Sequence, residues 1–591
     1  YKLIVMNIIG INAYHGDSSA CLVQNGELIA AAEEERFKRI KHWAGFPDES
    51  IKYCLNEAGL SLNQIDHIAI NSDPKAHFFK KISYSIKTRP DIGMIFDRIK
   101  NKKKRANVES ELLAAFPSNQ FSGKVHYIEH HLSHLASAHL VSPFNDSIAI
   151  SIDGFGDFSS SAWGVCDDSK IAVDKRVFFP HSLGVFYQAL TQFIGFPHYG
   201  DEYKVMGLAP YGKPLFLDKM KDIVLLNTDG TFELNLKYFL HHNTKIDYQW
   251  SGGSPVVGSL FNLKELESLL GIKARNSKDE LKAVHFDLAN SIQAMYEEAF
   301  FNILEAAYKK YGIENLTLAG GCAMNSVANG KVYRRSSFKK VYIQSAAGDA
   351  GGAIGAAFVV ASKFNLMENR FHMSHAYWGP NYKNAYHEKL LFDRKKELNK
   401  QGCVFEFVDD EDKLCRKTAK AISEGLVIGW FQGRMEWGPR ALGNRSILGD
   451  PRRSDMKDIL NLKIKRRESF RPFAPSILRE SVKNWFEEDD DVPFMMKVFQ
   501  IKEEKRDQIP AVSHVDGSGR LQTVSLSTNA RFYKLISSFE KLTGVPILLN
   551  TSFNENEPVV CRPEEALNTF LRSKMDLLVL GNWLVTRDSS F

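Results

Sequence analysis

The sequence predicts an α/β protein with more than one domain. Apolar, strand-like segments alternate with helix-like ones along the whole chain, and there is neither an internal repeat nor a low-complexity tract. A chain of 591 residues is longer than one hydrophobic core usually supports, which predicts two or more domains. Hydrophobic residues make up 44% and charged residues 25%, a composition typical of globular proteins and not of disordered or fibrous ones.

The first elements are predicted to be strand, loop, strand, turn and strand. Asn25-Gly26 favours a hairpin turn with positive φ, and the strand, glycine-containing loop and hairpin together resemble the phosphate-binding start of the actin-like ATPase fold. Three later segments run from an apolar strand into glycines and toward a helix: 147–157, 314–325 and 340–357. Glycine lets a backbone approach a nucleotide, and a helix N-terminus favours its negative charge. These turns predict a nucleotide site, although glycine is also common in such connections without one.

The segment EHHLSHLASAH at 129–139 is predicted to be a helix. Its apolar residues recur every three or four positions between Leu132 and Leu140. His130 and His134 then lie one turn apart and lean the same way, so both rings can reach one divalent metal. A hydrogen-bonded histidine cluster without a metal remains the alternative at this point.

The composition changes around 366–400, and we place the domain boundary there, with domains at 1–375 and 385–591. Beyond it, a predicted helix at 410–425 leads into a buried strand at 426–431. Cations alternating with glycine, proline and aromatic residues then predict a shaped pocket for a polyanion, with a structural ion-pair network as the alternative. The cations are Arg434, Arg440, Arg445, Lys465, Arg467 and Arg471.

Charge and cysteine usage exclude several classes of protein. The net charge is +6, and the basic run at 100–105 is predicted to be a solvated loop, so we expect no nucleic-acid partner. No apolar run is long enough to span a bilayer, and we expect no membrane segment. Seven scattered cysteines without a CxxC pair predict reduced thiols and a cytoplasmic location.

Eleven segments in order resemble the O-carbamoyltransferases of nodulation-factor, cephamycin and tobramycin biosynthesis. They are HGDSSA, EEERFKRIKH, EHHLSH, DGFGD, DEYKVMGLAPYG, GGCAMN, GDAGGAIGAA, GRMEWGPRALGNRS, KRRESFRPFAP, HVDGSGRLQTV and LNTSFN. The resemblance implies a Kae1-like, actin-like carbamoyl-transfer domain at 1–375 and a YrdC-like α/β domain at 385–591 that forms carbamoyl adenylate. The implied substrates are carbamoyl phosphate, ATP with Mg²⁺, and a hydroxylated small molecule. The oligomeric state is left open, with a homodimer as one candidate.

The resemblance also implies the residues of the transfer site. Fe²⁺, or another divalent metal, is expected on His130, His134, Asp153 and Asp349. His131 is expected to pack or to support the ligands. The implied catalytic residues are His15, Lys41 and Lys204. His15 is expected to act as the base, with an orienting role as the alternative, and the lysines are expected to face the adenylate, with plain solvation as the alternative.

Two further sets of residues follow from the same resemblance. The adenylate is expected to contact Gly320, Gly321, Asn325 and Gly348 in the first domain. Carbamoyl phosphate and ATP are expected to contact Arg440, Arg445, Lys465, Arg471, Arg520, Ser552 and Asn554 in the second.

Three alternative functions are weighed against this one. A hydrogenase-maturation carbamoyltransferase would be a longer chain with zinc-binding CxxC pairs, and this sequence lacks such pairs. A threonylcarbamoyl-type tRNA-modifying enzyme would use threonine and bicarbonate and present a basic RNA-binding face. An actin-like ATP-binding regulatory protein would keep the glycine turns but have no use for four metal ligands.

Overall fold

The computed structural model describes residues 5–88, 108–117, 121–249, 254–367, 370–468 and 470–587. The basic run at 100–105 lies outside these residues. The chain divides into two compact units, Tyr1–Met373 and Ser374–Phe591. The functions assigned above to the two domains stay predictions.

The first sheet of unit 1 contains the predicted opening hairpin. Its strands are β1 Asn7–Asn12, β2 Ser19–Gln24, β3 Glu27–Glu33, β4 His67–Ile70 and β5 Lys124–Tyr127. Their order is β3-β2-β1-β4-β5, with β1 antiparallel to β2 and parallel to β4. Asn25 and Gly26 both have positive φ, at 49° and 84°, which confirms the turn predicted between β2 and β3.

The second sheet of unit 1 repeats the same arrangement. Its strands are β6 Asp146–Gly156, β7 Ser159–Asp167, β8 Lys170–Phe178, β13 Asn315–Ala319 and β14 Lys340–Tyr342. The order β14-β13-β6-β7-β8 again joins three antiparallel strands to parallel neighbours. Two small strand pairs also lie in the described part of unit 1: β9 Val224–Leu226 with β10 Phe232–Leu234, and β11 Tyr248–Gln249 with β12 Val256–Val257. The repeated sheet confirms the predicted α/β class and its actin-like arrangement.

The segment 147–157 differs from its prediction. Its glycines were expected to lead toward a helix, but β6 continues through Gly154 to Gly156 and turns directly into β7. Local composition does not separate a glycine in a strand from one in a strand-to-helix loop. The segments 314–325 and 340–357 do continue from a strand toward a helix, as predicted.

The helices in the described part of unit 1 pack against the two sheets and against one another. They are Glu35–Lys38, Asp48–Ala58, Phe78–Thr88, Val108–Ala115, His130–His139, Leu183–Phe193, Glu202–Leu208, Leu217–Lys221, Leu263–Leu270, Ala283–Tyr311, Ser326–Gly330, Val332–Arg335 and Gly352–Lys363. The helix Gly352–Lys363 packs closely against its neighbours at two glycines. A Cβ on Gly10 would lie 2.0 Å from the Ala353 carbonyl oxygen, and a Cβ on Gly355 would lie 1.8 Å from the Ser133 carbonyl oxygen. Glycine at these positions brings the start of this helix beside the histidine-rich helix.

Unit 2 is built on one mixed sheet, which has nine strands in the described part of the chain. They are β15 Cys403–Phe407, β16 Ile428–Phe431, β17 Arg445–Gly449, β18 Ala474–Leu478, β19 Lys497–Gln500, β20 Ser518–Val524, β21 Ile547–Ser552, β22 Leu577–Leu580 and β23 Trp583–Arg587. The order is β15-β23-β22-β16-β17-β21-β18-β20-β19. The likeness to YrdC stays a prediction.

The helices in the described part of unit 2 precede the first strand or lie between the strands in sequence. They are Asn384–Asp393, Lys395–Lys400, Glu411–Ser423, Met456–Asp458, Val482–Trp485, Glu503–Arg506, Ala530–Thr543 and Pro563–Ser573, with a π-helical stretch at Ile459–Ile464. The helix predicted at 410–425 and the strand predicted at 426–431 are confirmed by Glu411–Ser423 and β16. Among the described residues, no helix combines the length and the hydropathy that a bilayer span requires.

Candidate functional site

Four potential metal ligands converge in unit 1. The helix His130–His139 contributes two imidazoles from successive turns, β6 contributes Asp153, and Asp349 begins the short turn ahead of the helix Gly352–Lys363. The Nε2 atom of His130 lies 3.1 Å from Asp153 Oδ2 and 3.5 Å from Asp349 Oδ1. The Nε2 atom of His134 lies 3.5 Å and 3.3 Å from the same two oxygens. The structure therefore brings all four predicted ligands to one point.

The chemistry of this cluster fits a divalent cation. Its four donor atoms, two imidazole nitrogens and two carboxylate oxygens, all lie within 4.8 Å of one another. Both Nε2 atoms face the same point and are 3.0 Å apart, a spacing that a shared cation or proton explains. Imidazole and carboxylate together suit iron, zinc and manganese.

The pKa values show how strongly the cluster attracts positive charge. Burial opposes protonation of His134, but its hydrogen bonds with Asp153 and Asp349 raise its pKa to about 9. Burial would also raise the pKa of Asp153, yet its contacts with both histidines hold that pKa well below the usual value. A cation at the centre would neutralise the same two carboxylates.

Partly buried polar contacts hold the histidine-rich helix in place. Glu129 caps it by accepting hydrogen bonds from the backbone N–H groups of His131, at 3.2 Å, and Leu132, at 2.8 Å. The same carboxylate forms a bidentate ion pair with Arg176 at 3.0 and 2.9 Å. The His131 ring points elsewhere, with Nδ1 2.9 Å from Ser151 Oγ, and burial lowers its pKa to about 3. His131 is thus a neutral packing residue.

His15 lies beside the ligand cluster. The centroid of its ring is 5.8 Å from that of His130. The loop that carries it is fixed on both sides: Ser18 Oγ donates to the His15 carbonyl oxygen at 3.1 Å, and the Tyr199 hydroxyl donates to the Gly16 carbonyl oxygen at 3.2 Å. A base at this position can reach a molecule held at the four donors.

The two predicted lysines have different surroundings. Lys204 forms an ion pair with Asp201 at 2.7 Å and lies 5.0 Å from the centre of the Phe196 ring. Lys41 is half-buried and directly precedes His42. Lys204 is therefore a paired and partly covered cation, not a solvated one.

Sequence reasoning missed the ion pair between Asp17 and His42. His42 Nδ1 lies 2.6 Å from Asp17 Oδ1, and although burial and Lys41 oppose it, this contact raises the pKa of His42 to about 9. Both residues stand in segments that carry the family resemblance, HGDSSA and EEERFKRIKH, which is the signal that points to them. The pair anchors the His15 loop at its Asp17 end.

The glycine loop after β13 touches the ligand cluster directly. The Gly321 N–H donates to Asp153 Oδ1 at 2.8 Å. Gly320 has φ of +89°, and a Cβ there would lie 2.2 Å from the Ile152 carbonyl oxygen. Only glycine fits this backbone. A Cβ on Gly348 would lie 3.9 Å from the Gly321 Cα, so the two predicted glycine turns are neighbours.

Asn325 is fixed by a residue that sequence reasoning missed. Its Nδ2 donates to Gln293 Oε1 at 2.9 Å, and Gln293 Nε2 donates back to Asn325 Oδ1 at 3.1 Å. Gln293 also donates to the buried Glu297 at 3.0 Å. Two polar residues one turn apart on the buried side of the helix Ala283–Tyr311 are the signal that could have identified them.

In unit 2, the structure brings together Lys465, Ser552 and Asn554. Lys465 is only 1% exposed. Its Nζ donates to Asn554 Oδ1 at 2.8 Å and lies 3.2 Å from Ser552 Oγ. It also donates to the carbonyl oxygens of both residues. The predicted lysine and the predicted hydrogen-bonding pair form one polar cluster.

Several arginines gather around Arg520. Burial and the positive charges of Arg440 and Arg467 lower the pKa of Arg520 well below its usual value. Its Nε is buried and has no hydrogen-bond partner among the described residues. Arg471, by contrast, pairs with Glu468 at 2.6 Å. A half-buried arginine that neighbouring arginines repel indicates a site that a bound anion would stabilise.

Arg445 differs from its prediction as a phosphate ligand. Its side chain is fully buried and donates to the backbone carbonyl oxygens of Gln432, Asn444, Pro380 and Gly433. Its guanidinium also stacks 3.7 Å from the centre of the Phe431 ring. Four donors of this guanidinium are therefore engaged in holding the chain, and we leave Arg445 out of the proposed phosphate contacts.

Comparisons with known proteins identify the family of this chain. A family model described as carbamoyltransferase N-terminus matches residues 7–358, and one described as carbamoyltransferase C-terminus matches 419–587. An uncharacterized protein of Synechocystis sp. is 39% identical over 98% of this chain and 97% of its own length. Nodulation protein NolNO of Sinorhizobium fredii is 37% identical over 98% of this chain and 80% of its own. The crystal structure of T. kodakarensis HypF is 14% identical in sequence, over 61% of this chain and 48% of that chain. Its TM-score is 0.32.

Proposed function

Since this chain belongs to the carbamoyltransferase family and is a carbamoyltransferase, we propose that it works through carbamoyl adenylate. In this proposal, unit 2 makes the adenylate from carbamoyl phosphate and ATP, and unit 1 transfers the carbamoyl group to a hydroxyl of a small-molecule natural product. The observation that carries the proposal is the contact between Gly321 and Asp153, because it joins a nucleotide-type glycine loop to the cluster of four donors.

The cations of unit 2 suit the formation of the adenylate. Carbamoyl phosphate loses its phosphate to water and gives carbamate, which attacks the α-phosphorus of ATP and expels pyrophosphate. Each step gathers negative charge on phosphate oxygens, and Arg440, Arg471 and Arg520 would supply donors to them. Lys465 would hold Ser552 and Asn554 in position for further phosphate oxygens. Mg²⁺ accompanies ATP in this proposal.

The residues of unit 1 suit the transfer step. His130, His134, Asp153 and Asp349 would hold Fe²⁺ or another divalent metal, which would polarise the carbamoyl carbonyl when bound. Gly320, Gly321, Gly348 and Asn325 would receive the adenosine moiety. His15 would take the proton of the attacking hydroxyl, and AMP would leave. Lys41 and Lys204 would face the phosphate of the adenylate.

The first prediction tests the proposed reaction itself. We expect the protein to release pyrophosphate from ATP only when carbamoyl phosphate is added, measured by a coupled pyrophosphate assay. Threonine with bicarbonate should not replace carbamoyl phosphate, because neither compound carries the phosphate that the arginines of unit 2 are proposed to bind. Pyrophosphate release with threonine and bicarbonate instead would favour the tRNA-modifying alternative. ATP hydrolysis to ADP that depends on neither carbamoyl phosphate nor threonine with bicarbonate would favour the actin-like regulatory protein.

The second prediction concerns His15. We expect His15→Asn to lower the rate of single-turnover transfer from carbamoyl adenylate roughly 10²-fold or more, because the hydroxyl loses its base. The KM for the acceptor should change little. Pyrophosphate release should be unchanged, since the His15 loop belongs to unit 1. As a matched control, His126→Asn replaces a half-buried histidine outside the ligand cluster and should retain transfer. A raised KM with normal turnover would assign His15 an orienting role.

A further inference from the structure

A tight turn in unit 2 places a histidine beside the arginine cluster. The His514 N–H donates to the Ser518 carbonyl oxygen at 2.8 Å, and the Gly517 N–H donates to the His514 carbonyl oxygen at 2.9 Å. Ser518 begins β20, and Arg520 follows two positions later on the same face of that strand. His514 Nδ1 lies 3.1 Å from Ser518 Oγ. The ring therefore lies on the Arg520 face of the sheet.

The hydrogen bonds of this turn fix the tautomer of His514. The Ser518 hydroxyl donates to Asp516 Oδ1 at 2.6 Å, so its oxygen is left to accept from His514 Nδ1–H. In a neutral imidazole with its proton on Nδ1, the Nε2 atom is an acceptor. This atom is buried and has no hydrogen-bond partner among the described residues.

Electrostatics keep the ring neutral. Burial, with the positive charges of Arg520 and Lys457, lowers the pKa of His514 to about 4, although Asp516 opposes the shift. At neutral pH the ring therefore offers Nε2 as an acceptor and carries no charge. The cations near it, Arg520 and Lys457, can only donate, and so can Arg440 and Arg467 beside Arg520. The nearby Asp516 carboxylate already accepts hydrogen bonds from the N–H and the hydroxyl of Ser518 through Oδ1.

Carbamoyl phosphate has a matching asymmetry. Its phosphate and carbonyl oxygens accept hydrogen bonds, and its amino group is the part that donates. A pocket of cations satisfies the oxygens but leaves the amino group without an acceptor. An unpartnered acceptor in such a pocket discriminates against an analogue that lacks the N–H, because the polar atom then stays unpaired.

We propose that His514 is a specificity-determining residue whose Nε2 accepts a hydrogen bond from the amino group of the carbamoyl moiety. Asp516 and Ser518 act as positioning residues that hold the imidazole in the accepting tautomer. The proposal rests on the proposed function, since it takes carbamoyl phosphate as the substrate of unit 2. It adds the reason why a carbamoyl phosphate is chosen over an acyl phosphate with a methyl group in place of the amino group.

The test uses two unreactive analogues and the full chain. Phosphonoacetamide keeps the amino group, and acetonylphosphonate replaces it with a methyl group. By calorimetry, we expect the unsubstituted protein to bind phosphonoacetamide about tenfold or more tightly than acetonylphosphonate. His514→Phe should remove this preference by weakening phosphonoacetamide alone. His514→Gln, which keeps an acceptor, should restore part of it, and Val515→Ala, on the exposed side of the same turn, should change neither affinity.

Other outcomes overturn the inference in distinguishable ways. If neither analogue binds the unsubstituted protein, the carbamoyl phosphate site itself is wrong. If both bind and His514→Phe weakens them equally, or leaves the preference intact, His514 has no role in selection. Should His514→Phe fail to fold, Ser518→Ala takes its place, because it keeps the ring but removes the acceptor of Nδ1–H. A preference unchanged in that variant contradicts the proposal.

Discussion

His130→Ala, and separately Asp349→Ala, should abolish the bound divalent metal and lower carbamoyl transfer by at least about 10³-fold, while pyrophosphate release continues. Each variant removes one of the four donor atoms that lie within 4.8 Å of one another, and alanine supplies no ligand in its place. The ligands lie in unit 1, and the arginine cluster lies in unit 2. Loss of metal should therefore leave the adenylate-forming step intact.

Metal content is measured by elemental analysis, and transfer by mass spectrometry of the acceptor. His126→Ala is the control, since it removes a histidine of unit 1 that is not part of the cluster. Adding Fe²⁺, Mn²⁺ or Zn²⁺ to metal-free protein identifies the ion that restores transfer. Full transfer by a variant that holds no metal would contradict the assignment of the cluster.

Arg520→Met should abolish pyrophosphate release without lowering the melting temperature. The arginine is half-buried, and burial together with the positive charges of Arg440 and Arg467 depresses its pKa. Its Nε is buried and has no hydrogen-bond partner among the described residues. Replacing it with an unbranched apolar side chain relieves that repulsion but removes a donor that the phosphates need. We expect loss of activity together with unchanged or increased stability, a combination that a structural role does not give.

Lys465→Ala provides the contrast. It should also stop pyrophosphate release, but it should lower the melting temperature as well, because the oxygen atoms of Ser552 and Asn554 lose a buried ammonium that donates to them. Both variants should still transfer the carbamoyl group from carbamoyl adenylate supplied in solution. Arg453→Met, at an exposed ion pair with Asp455, should keep full activity. Failure of both half-reactions in Arg520→Met would refute the division of labour between the units.

The candidate metal centre shows how far the sequence alone leads. The spacing of HHLSH predicts a helix with His130 and His134 on one face, and the structure confirms the helix. Asp153 and Asp349 lie far away in sequence, and no local pattern connects them to the histidines. They were predicted through the family resemblance, because only the folded sheets bring β6 and the end of the β14 loop to that helix.

Arg445 and His514 are residues whose contacts the sequence alone does not predict. A guanidinium binds carbonyl and phosphate oxygens with the same geometry, so an arginine among glycines and prolines does not reveal which oxygens it meets. Arg445 meets carbonyls of its own chain. The segment HVDGSGRLQTV contains His514 but indicates no role for it, because the proposed role depends on a tautomer that Asp516 and Ser518 set through the turn. Such roles depend on contacts that residue types do not specify.

The central claim is that one chain makes carbamoyl adenylate in unit 2 and uses it in unit 1. The most direct measurement is to supply carbamoyl phosphate labelled on the carbamoyl carbon and ATP labelled on the α-phosphate, and to analyse the nucleotides after rapid quenching. His130→Ala should accumulate one species that carries both labels, and Arg520→Met should form none. If His130→Ala forms no doubly labelled nucleotide while the unsubstituted protein still carbamoylates its acceptor, the carbamoyl group moves without an adenylate, and the account is wrong.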